Sequence, residues 1–266
     1  VNTTGVPATG LQVRYSTSEA TVTGGGGTSK ALTPATMTSS VATPVSAAVT
    51  GLTTGTTYYY QLSATNSFGT STTPVASFTT YGRPFISTWD TSKGDGQPTI
   101  TLPLQSSGGT YNFTVDWGDG STSAITSATS TAKTHTYATG GVKTVTIMGS
   151  FTGWDGNALA DREKLTDITQ WGTLKLGTGS ALKGFFQGAK NLQISATDAP
   201  NLSATTSLQN TFNGATAFNS PIGHWDTSNV TNMSSMFKGA AAFNQPIGSW
   251  NTSNVFGMNA ERKSAA

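Results

Sequence analysis

Residues 212–236, FNGATAFNSPIGHWDTSNVTNMSSM, are followed at 237–258 by FKGAAAFNQPIGSWNTSNVFGM. Every matching position recurs at the same interval, as Trp225 does at Trp250. A fixed period of about 25 residues is typical of stacked supersecondary units, each too small to bury its own apolar face. The C-terminal part therefore predicts a solenoid, a fold that mostly presents surface for binding.

Each copy of the repeat divides into a short strand and a turn. The apolar spacing predicts a strand near 230–233 and an inward-facing helical turn near 234–237. A degenerate copy comes first, because Phe186 precedes Phe212 by almost the same interval. Residues 165–172 fit an atypical capping turn, which solenoids need at their ends.

Residues 1–80 have the pattern of an all-β module. Apolar and polar residues alternate over Leu11–Tyr15 and over Tyr58–Asn66, as they do in half-buried strands. The glycines of Gly24–Gly27 predict a flexible loop, since no Lys-Ser/Thr pair follows them as in a phosphate-binding loop. Ser77–Thr80 predicts a closing strand.

Residues 84–150 predict a second β region built around a tight turn. The turn is Asp116-Trp117-Gly118-Asp119-Gly120, whose glycines permit the positive φ values of a hairpin. His135-Thr136-Tyr137 follows, and then residues 142–147 alternate as in a strand that faces two environments.

The composition excludes several kinds of partner and site. Charged residues make up only 10% of the chain and the net charge is +2, without a basic stripe, so we expect no nucleic acid partner. The chain has no cysteine, which excludes disulfides and thiolate metal sites. No apolar stretch approaches the ~20 residues that span a bilayer, so we expect no membrane insertion within this chain.

Residues 1–82 resemble a bacterial fibronectin type III domain. The spacing of Leu52 and Tyr58 resembles the tyrosine corner of that family, in which the tyrosine hydroxyl bonds back to the chain. Thr54 stands where the family has a proline, and only ten residues precede Leu11–Tyr15, where about two strands are normal. The resemblance implies an immunoglobulin-like sandwich that is N-terminally incomplete, with an exposed edge or apolar face.

Residues 83–150 resemble a PKD-type immunoglobulin-like sandwich, because the aromatic-Gly-Asp-Gly turn, the His-x-Tyr and a Gly-x-x-Thr-Val strand occur in that order. Residues 151–266, the predicted solenoid, are similar to the BspA-like leucine-rich repeat surface proteins of bacteria, with DUF285-type repeats, and the resemblance covers roughly residues 84–258. Lead-in motifs at Phe85–Asp90, Ile168–Gly172 and Asp198–Leu202 occur in the order that this family shows. The expected fold is therefore mainly β: two tandem immunoglobulin-like β-sandwiches, then a short leucine-rich-repeat solenoid.

The BspA-like resemblance implies an extracellular protein of the cell surface and supplies no catalytic residues, so we expect no enzyme. Adhesion or scaffolding would use contacts with host proteins, with proteins of neighbouring cells or with copies of the chain itself. Two alternatives stay open. The chain would be a self-assembling filament or surface-layer subunit, completed by its neighbours, or the accessory binding region of a secreted polysaccharide- or protein-degrading enzyme, with polysaccharide as a possible partner.

Asp116 and Asp119 are the best acidic pair in the sequence. Their carboxylates would serve as weak Ca²⁺ ligands, and we expect no other cofactor. The competing interpretation is that they cap the hairpin turn through bonds to the backbone. His135 beside Asp119 would suggest acid–base chemistry, or it packs beside Trp117 as part of the sandwich signature.

Four repeat residues are candidates for an interaction surface. Trp225 and Trp250 would form an aromatic ladder, or they would be the apolar stack of the solenoid. Asn229 and Asn254 would contact a ligand, or they would supply turn hydrogen bonds and an asparagine ladder. His224, with Asp226, flanks Trp225, but the next copy has Ser249 and Asn251 there, which favours solvent-facing side chains.

Six Asn-x-Ser/Thr sequons are candidates for glycosylation if the chain is secreted through a glycosylating pathway. They lie at Asn2, Asn112, Asn201, Asn229, Asn232 and Asn251.

Overall fold

The computed structural model describes residues 6–37, 43–53, 55–156, 160–177 and 184–256. The chain divides into two compact units, Val1–Tyr81 and Gly82–Ala266. The described residues form three sheets and almost no helix. The expected mainly β class is therefore confirmed.

In its described residues, the first unit has one antiparallel sheet and one short helix. Strand β1 pairs with β2 and β3, and β3 pairs along its length with both β4 and β5. The elements are β1 Gln12–Ser16, α1 Glu19–Thr23, β2 Thr28–Ala31, β3 Thr57–Asn66, β4 Gly69–Thr72 and β5 Ala76–Thr79.

The alternation seen in the sequence places the apolar side chains of the first sheet on one face. Val13 lies opposite Leu62 in the β1–β3 register, and both pack in the core of this unit. The Tyr58 hydroxyl accepts a hydrogen bond from the amide of Thr53 over 3.1 Å, the contact that the tyrosine-corner spacing predicts. Thr54 lies outside the described residues.

The second unit contains a six-stranded sheet in the order β13-β12-β6-β11-β8-β9 and a two-stranded sheet of β7 and β10. All pairs are antiparallel except β12 with β13. The elements are β6 Phe85–Asp90, β7 Thr99–Thr101, β8 Thr110–Asp116, β9 Thr122–Ile125, a 3-10 turn Thr131–Lys133, β10 Thr134–Thr136, β11 Val142–Thr152, β12 Leu165–Gln170 and β13 Gln193–Ile194.

The six-stranded sheet joins the predicted sandwich to the predicted repeats. β12 pairs with β6, so residues on both sides of the expected boundary at 150/151 share one sheet. They also share one continuous core, in which Phe85 packs against Trp154 and Trp171 at ring distances of 5.5 and 6.2 Å. The two segments form a single compact unit, and their division into separate domains stays a prediction.

Successive copies of the repeat stack in register. The amide of Phe186 donates to the carbonyl of Thr211 over 2.9 Å, and in the next copy Phe212 donates to Met236 over 2.8 Å. The rings of Phe186, Phe212 and Phe237 stack with centroids 5.8 and 5.7 Å apart. Each copy thus covers the apolar face of the one before it, as the period predicts.

Two local predictions differ from the structure. Residues 165–172 contain strand β12 in place of the predicted turn, because this segment pairs antiparallel with β6 and in parallel with β13. The strand predicted near 230–233 is reduced to a parallel bridge between Ser207 and Asn232, since the copies are joined at isolated backbone bonds. Met258 lies outside the described residues.

Candidate functional site

Asp116 and Asp119 lie on the tight turn between β8 and β9. Oδ1 of Asp116 accepts the amide of Gly118 over 2.8 Å. Oδ1 of Asp119 accepts the amide and the hydroxyl of Ser121 over 3.0 and 2.6 Å. Gly118 has a φ of +77°, and a Cβ there would clash with the carbonyl of Thr144. Both carboxylates therefore stabilise a turn that requires glycine.

His135 connects this turn to strand β10. Its Nε2 lies 2.7 Å from Oδ2 of Asp119, and its ring stacks on Trp117 at 4.9 Å with an interplanar angle of 15°. Tyr137 meets the imidazole in a T-shaped contact, with ring centroids 4.5 Å apart, and its hydroxyl donates to the Trp117 carbonyl over 3.0 Å. The imidazole thus packs against two aromatic rings, and Asp119 and Ser121 are its polar contacts.

The hydrogen bonds from Ser121 and His135 hold the pKa of Asp119 well below its usual range. Burial raises the pKa of Tyr137 well above its usual value. Over the ranges that the structure describes, no three histidine, aspartate or glutamate side chains are grouped so as to hold a metal ion. The Ca²⁺ prediction rests on two carboxylates that already accept backbone bonds.

Trp225 and Trp250 lie in the core, with only 3% and 8% of their surfaces exposed. Trp225 meets Trp171 edge to face at 5.7 Å. Trp250 donates its Nε1–H to the carbonyl of Ile222 in the preceding copy over 3.0 Å. An aromatic ladder for sugars or proteins would need exposed ring faces, so these two indoles belong to the apolar stack.

Asn229 and Asn254 are exposed, and each ties its copy to the one before it. Nδ2 of Asn254 donates to the carbonyl of Ser228 over 2.8 Å, and Nδ2 of Asn229 lies 3.4 Å from the carbonyl of Ser203. These bonds form the asparagine ladder.

A row of Asx turns runs beside this ladder. The side-chain oxygens of Asn201, Asp226 and Asn251 each accept the amide two residues further on over 3.0 Å. Hydrogen bonds from Ser228 hold the pKa of Asp226 below its usual value. His224, the other predicted flanking residue, is exposed, with Nε2 3.3 Å from the Asp198 carbonyl.

The glycosylation candidates differ in their exposure to solvent. Asn232 is half-buried, and its Nδ2 donates to Oε1 of Gln209 over 3.1 Å. Asn2 lies outside the described residues. The remaining four sequon asparagines are exposed: Asn112, Asn201, Asn229 and Asn251.

An apolar groove of about 530 Å³ follows one face of the first sheet. Its main lining residues are Val13, Tyr15, Leu32, Val45, Val49, Leu52, Tyr60, Leu62 and Phe78.

A buried charge cluster in the second unit has no signal in the sequence analysis. The side chain of Lys164 is 1% exposed, and its Nζ lies 2.7 Å from Oδ1 of Asp95 and 2.7 Å from Oδ1 of Asp161. Nζ also donates to the Thr99 carbonyl over 2.9 Å. Burial lowers the pKa of Lys164, but bonds to the two carboxylates outweigh it and raise that pKa above its usual value.

Comparison with known proteins identifies only the repeat region. Residues 160–265 match the family described as Mycoplasma protein of unknown function, DUF285. No curated protein and no solved structure matches the chain. The DUF285-type repeats are thus confirmed over that segment, while the N-terminal part stays unidentified. In the described part of the chain, no helix is long and apolar enough to cross a membrane.

Proposed function

We propose that this chain is a non-enzymatic extracellular protein of the cell surface, which mediates adhesion or scaffolding through extended protein–protein contacts. Its finer architecture in this proposal is a fibronectin type III-like sandwich, a PKD-like sandwich and a BspA-like leucine-rich-repeat solenoid. The observation that carries the proposal is the in-register stack of repeats, whose outer surface repeats the same polar and small side chains.

The stack separates buried aromatic side chains from an exposed surface. Phe212, Phe218 and Trp225 are buried. Ala217 and its counterpart Ala242 are exposed in successive copies. A repeated surface offers one partner several equivalent contacts, and solenoids use such surfaces for binding. This favours an extended protein partner over a small ligand held in a pocket.

The low charge of the surface supports the same conclusion. Side chains along the Asx row and the asparagine ladder are amides and hydroxyls, apart from the single carboxylate of Asp226. Such groups contribute to binding through short-range hydrogen bonds and close surface fit, because there is little net charge to attract a partner from a distance. We therefore expect attachment to depend only weakly on salt.

The test is an attachment assay with beads that carry the full chain. The beads are added to cell layers, to cell layers stripped of surface protein by protease, and to insoluble polysaccharide. Attachment that protease treatment abolishes supports the proposal. Attachment to polysaccharide alone would replace it with the accessory-region alternative, and ordered clustering of beads without cells would replace it with self-assembly.

A matched set of variants locates the contact. Ala217→Glu combined with Ala242→Glu places a charge on two successive copies of the repeat surface. Ala124→Glu places one such charge, as each single repeat variant does, on exposed strand β9 away from the repeats. We expect the double variant to lose most attachment and the control to keep it. Equal attachment by both would exclude this face of the repeats as the contact.

A further inference from the structure

The buried cluster around Lys164 joins two distant parts of the second unit. Asp161 belongs to the same turn as Lys164, whose amide donates to the Asp161 carbonyl over 2.9 Å. Asp95 comes from the loop between β6 and β7, far earlier in the sequence. The ammonium nitrogen is held 2.7 Å from a carboxylate oxygen of each.

The surroundings hold the reacting atoms together and keep water from the amine. Gly94 has a φ of +63°, and a Cβ there would lie 3.7 Å from Cγ of Lys164, so the loop backbone lies against the lysine stem. Oδ2 of Asp161 accepts the amide of Thr101 over 2.8 Å, which fixes that carboxylate. The Asp95 side chain is 59% exposed, which leaves a path to solvent on its outer side.

We propose that Lys164 and Asp95 condense to an intramolecular amide bond, with Asp161 as the proton carrier. The resting pair is charged, because the hydrogen bond from Lys164 lowers the pKa of Asp95 and, despite burial, the two carboxylates raise the pKa of Lys164. The reaction therefore begins with transfer of one proton from the ammonium to Asp95, which gives the neutral amine and the carboxylic acid. Nζ then attacks Cγ of Asp95, and Asp161 accepts the second proton from Nζ and passes it to the leaving oxygen. The Nζ–Cγ bond forms, a Cγ–O bond breaks, one water molecule leaves, and nothing is oxidised or reduced.

The geometry assigns different roles to the two carboxylates. An amide between Lys164 and Asp161 would close a ring within one turn and restrain little of the chain. An amide to Asp95 closes a covalent ring of chain that contains strands β7 to β11 and ends just before β12. Cross-links that close long segments restrict the unfolded chain most. Because the chain contains no cysteine, a disulfide cannot supply such a link.

Intact-mass spectrometry of the purified full chain tests the proposal. The expected mass is lower than the sequence mass by one water molecule. Fragmentation after proteolysis is expected to find a branched peptide that joins Lys164 to Asp95. The full sequence mass would overturn the proposal and leave the cluster an ion pair. A branch from Lys164 to Asp161 would overturn the choice of acceptor.

Variants distinguish amide formation from an ion pair that does not react. Lys164→Arg and Asp161→Asn are expected to have the full sequence mass while they keep the tryptophan fluorescence of the folded protein. If folded Asp161→Asn still has a mass lower by one water molecule, the role of Asp161 is refuted. Lys190 and Glu163 form an exposed pair at 2.6 Å, so Lys190→Arg is the control and is expected to keep the loss of water.

One side reaction gives the same change in mass. Asp95 is followed by Gly96, and an Asp-Gly pair can cyclise to a succinimide with loss of water. Mild alkali hydrolyses a succinimide and restores the sequence mass, whereas a lysine amide survives it. Restoration of the full mass after alkali would therefore overturn the proposal, and a stable loss supports it.

Discussion

Phe212→Ala tests whether the stacked rings stabilise the second unit. Phe212 is fully buried, with ring centroids of Phe218, Phe186 and Phe237 at 4.0, 5.8 and 5.7 Å. Truncating a buried Phe to Ala costs about 3–5 kcal/mol, and an aromatic pair adds about 0.5–1.5 kcal/mol beyond burial. With three stacked neighbours we expect a loss of about 5 kcal/mol, the upper end of the first range.

Urea unfolding followed by tryptophan fluorescence measures this loss, because all six tryptophans lie within Gly82–Ala266. The control is Phe68→Ala, since Phe68 is 80% exposed and lies in the other unit; we expect a change within about 0.5 kcal/mol. A loss below about 2 kcal/mol for Phe212→Ala, with unchanged denaturant dependence, would refute the reasoning. Two separate fluorescence transitions would contradict the continuous core.

Three further predictions concern the same unit. Ser235 has a φ of 54°, in the left-handed region. Relief of that strain by glycine stabilises the fold by about 1–2 kcal/mol, partly offset by the greater flexibility of glycine in the unfolded chain. We therefore expect Ser235→Gly to raise the urea midpoint of unfolding, and a lower midpoint would contradict this. Gly118 and Gly120 both have positive φ, but only at Gly118 would a Cβ clash, with Thr144; we expect Gly118→Ala to lower the melting temperature more than Gly120→Ala, and equal losses would exclude the clash as the cause. The pKa of Asp119 is lower in the folded state, so its contribution to stability is present above about pH 4 and is lost as pH falls through the folded value. In urea titrations at a series of acidic pH values, we expect the free energy of unfolding to fall less steeply with decreasing pH in Asp119→Asn than in the unchanged protein. An equally steep fall would contradict the linkage.

The repeat register was predictable because its signal is periodic. The step from Phe212 to Phe237 fixes which residues stack, and the alternating patterns around Val13 and Tyr58 fix two strands of the first sheet. These signals are local or evenly spaced, so a single sequence contains them. The same regularity left the role of the tryptophans open, because a ring that recurs once per copy fits both a surface ladder and a core stack.

The shared sheet of the second unit has no comparable signal. Strand β13 has only two residues, and β12 pairs with β6, a strand far earlier in the sequence, at a spacing that follows no period. The motifs of residues 83–150 and the repeats of residues 151–266 predicted a boundary in the region where the chain returns through β12 to pair with β6. A resemblance indicates the ancestry of a segment, whereas a core forms wherever apolar faces meet.

The buried lysine shows most clearly what could not be predicted from the sequence. The acceptors of Lys164 are Asp161 in its own turn and the distant Asp95 and Thr99, at spacings that follow no period. In a chain with 10% charged residues, a lysine looks like a surface residue, and nothing around it in the sequence opposes that interpretation. A buried ion pair is weak evidence for stability, because desolvation offsets the attraction between its charges. Conversion to a neutral amide would remove that cost while it kept Asp95 fixed, which gives the cluster a physical role that the ion pair alone does not supply.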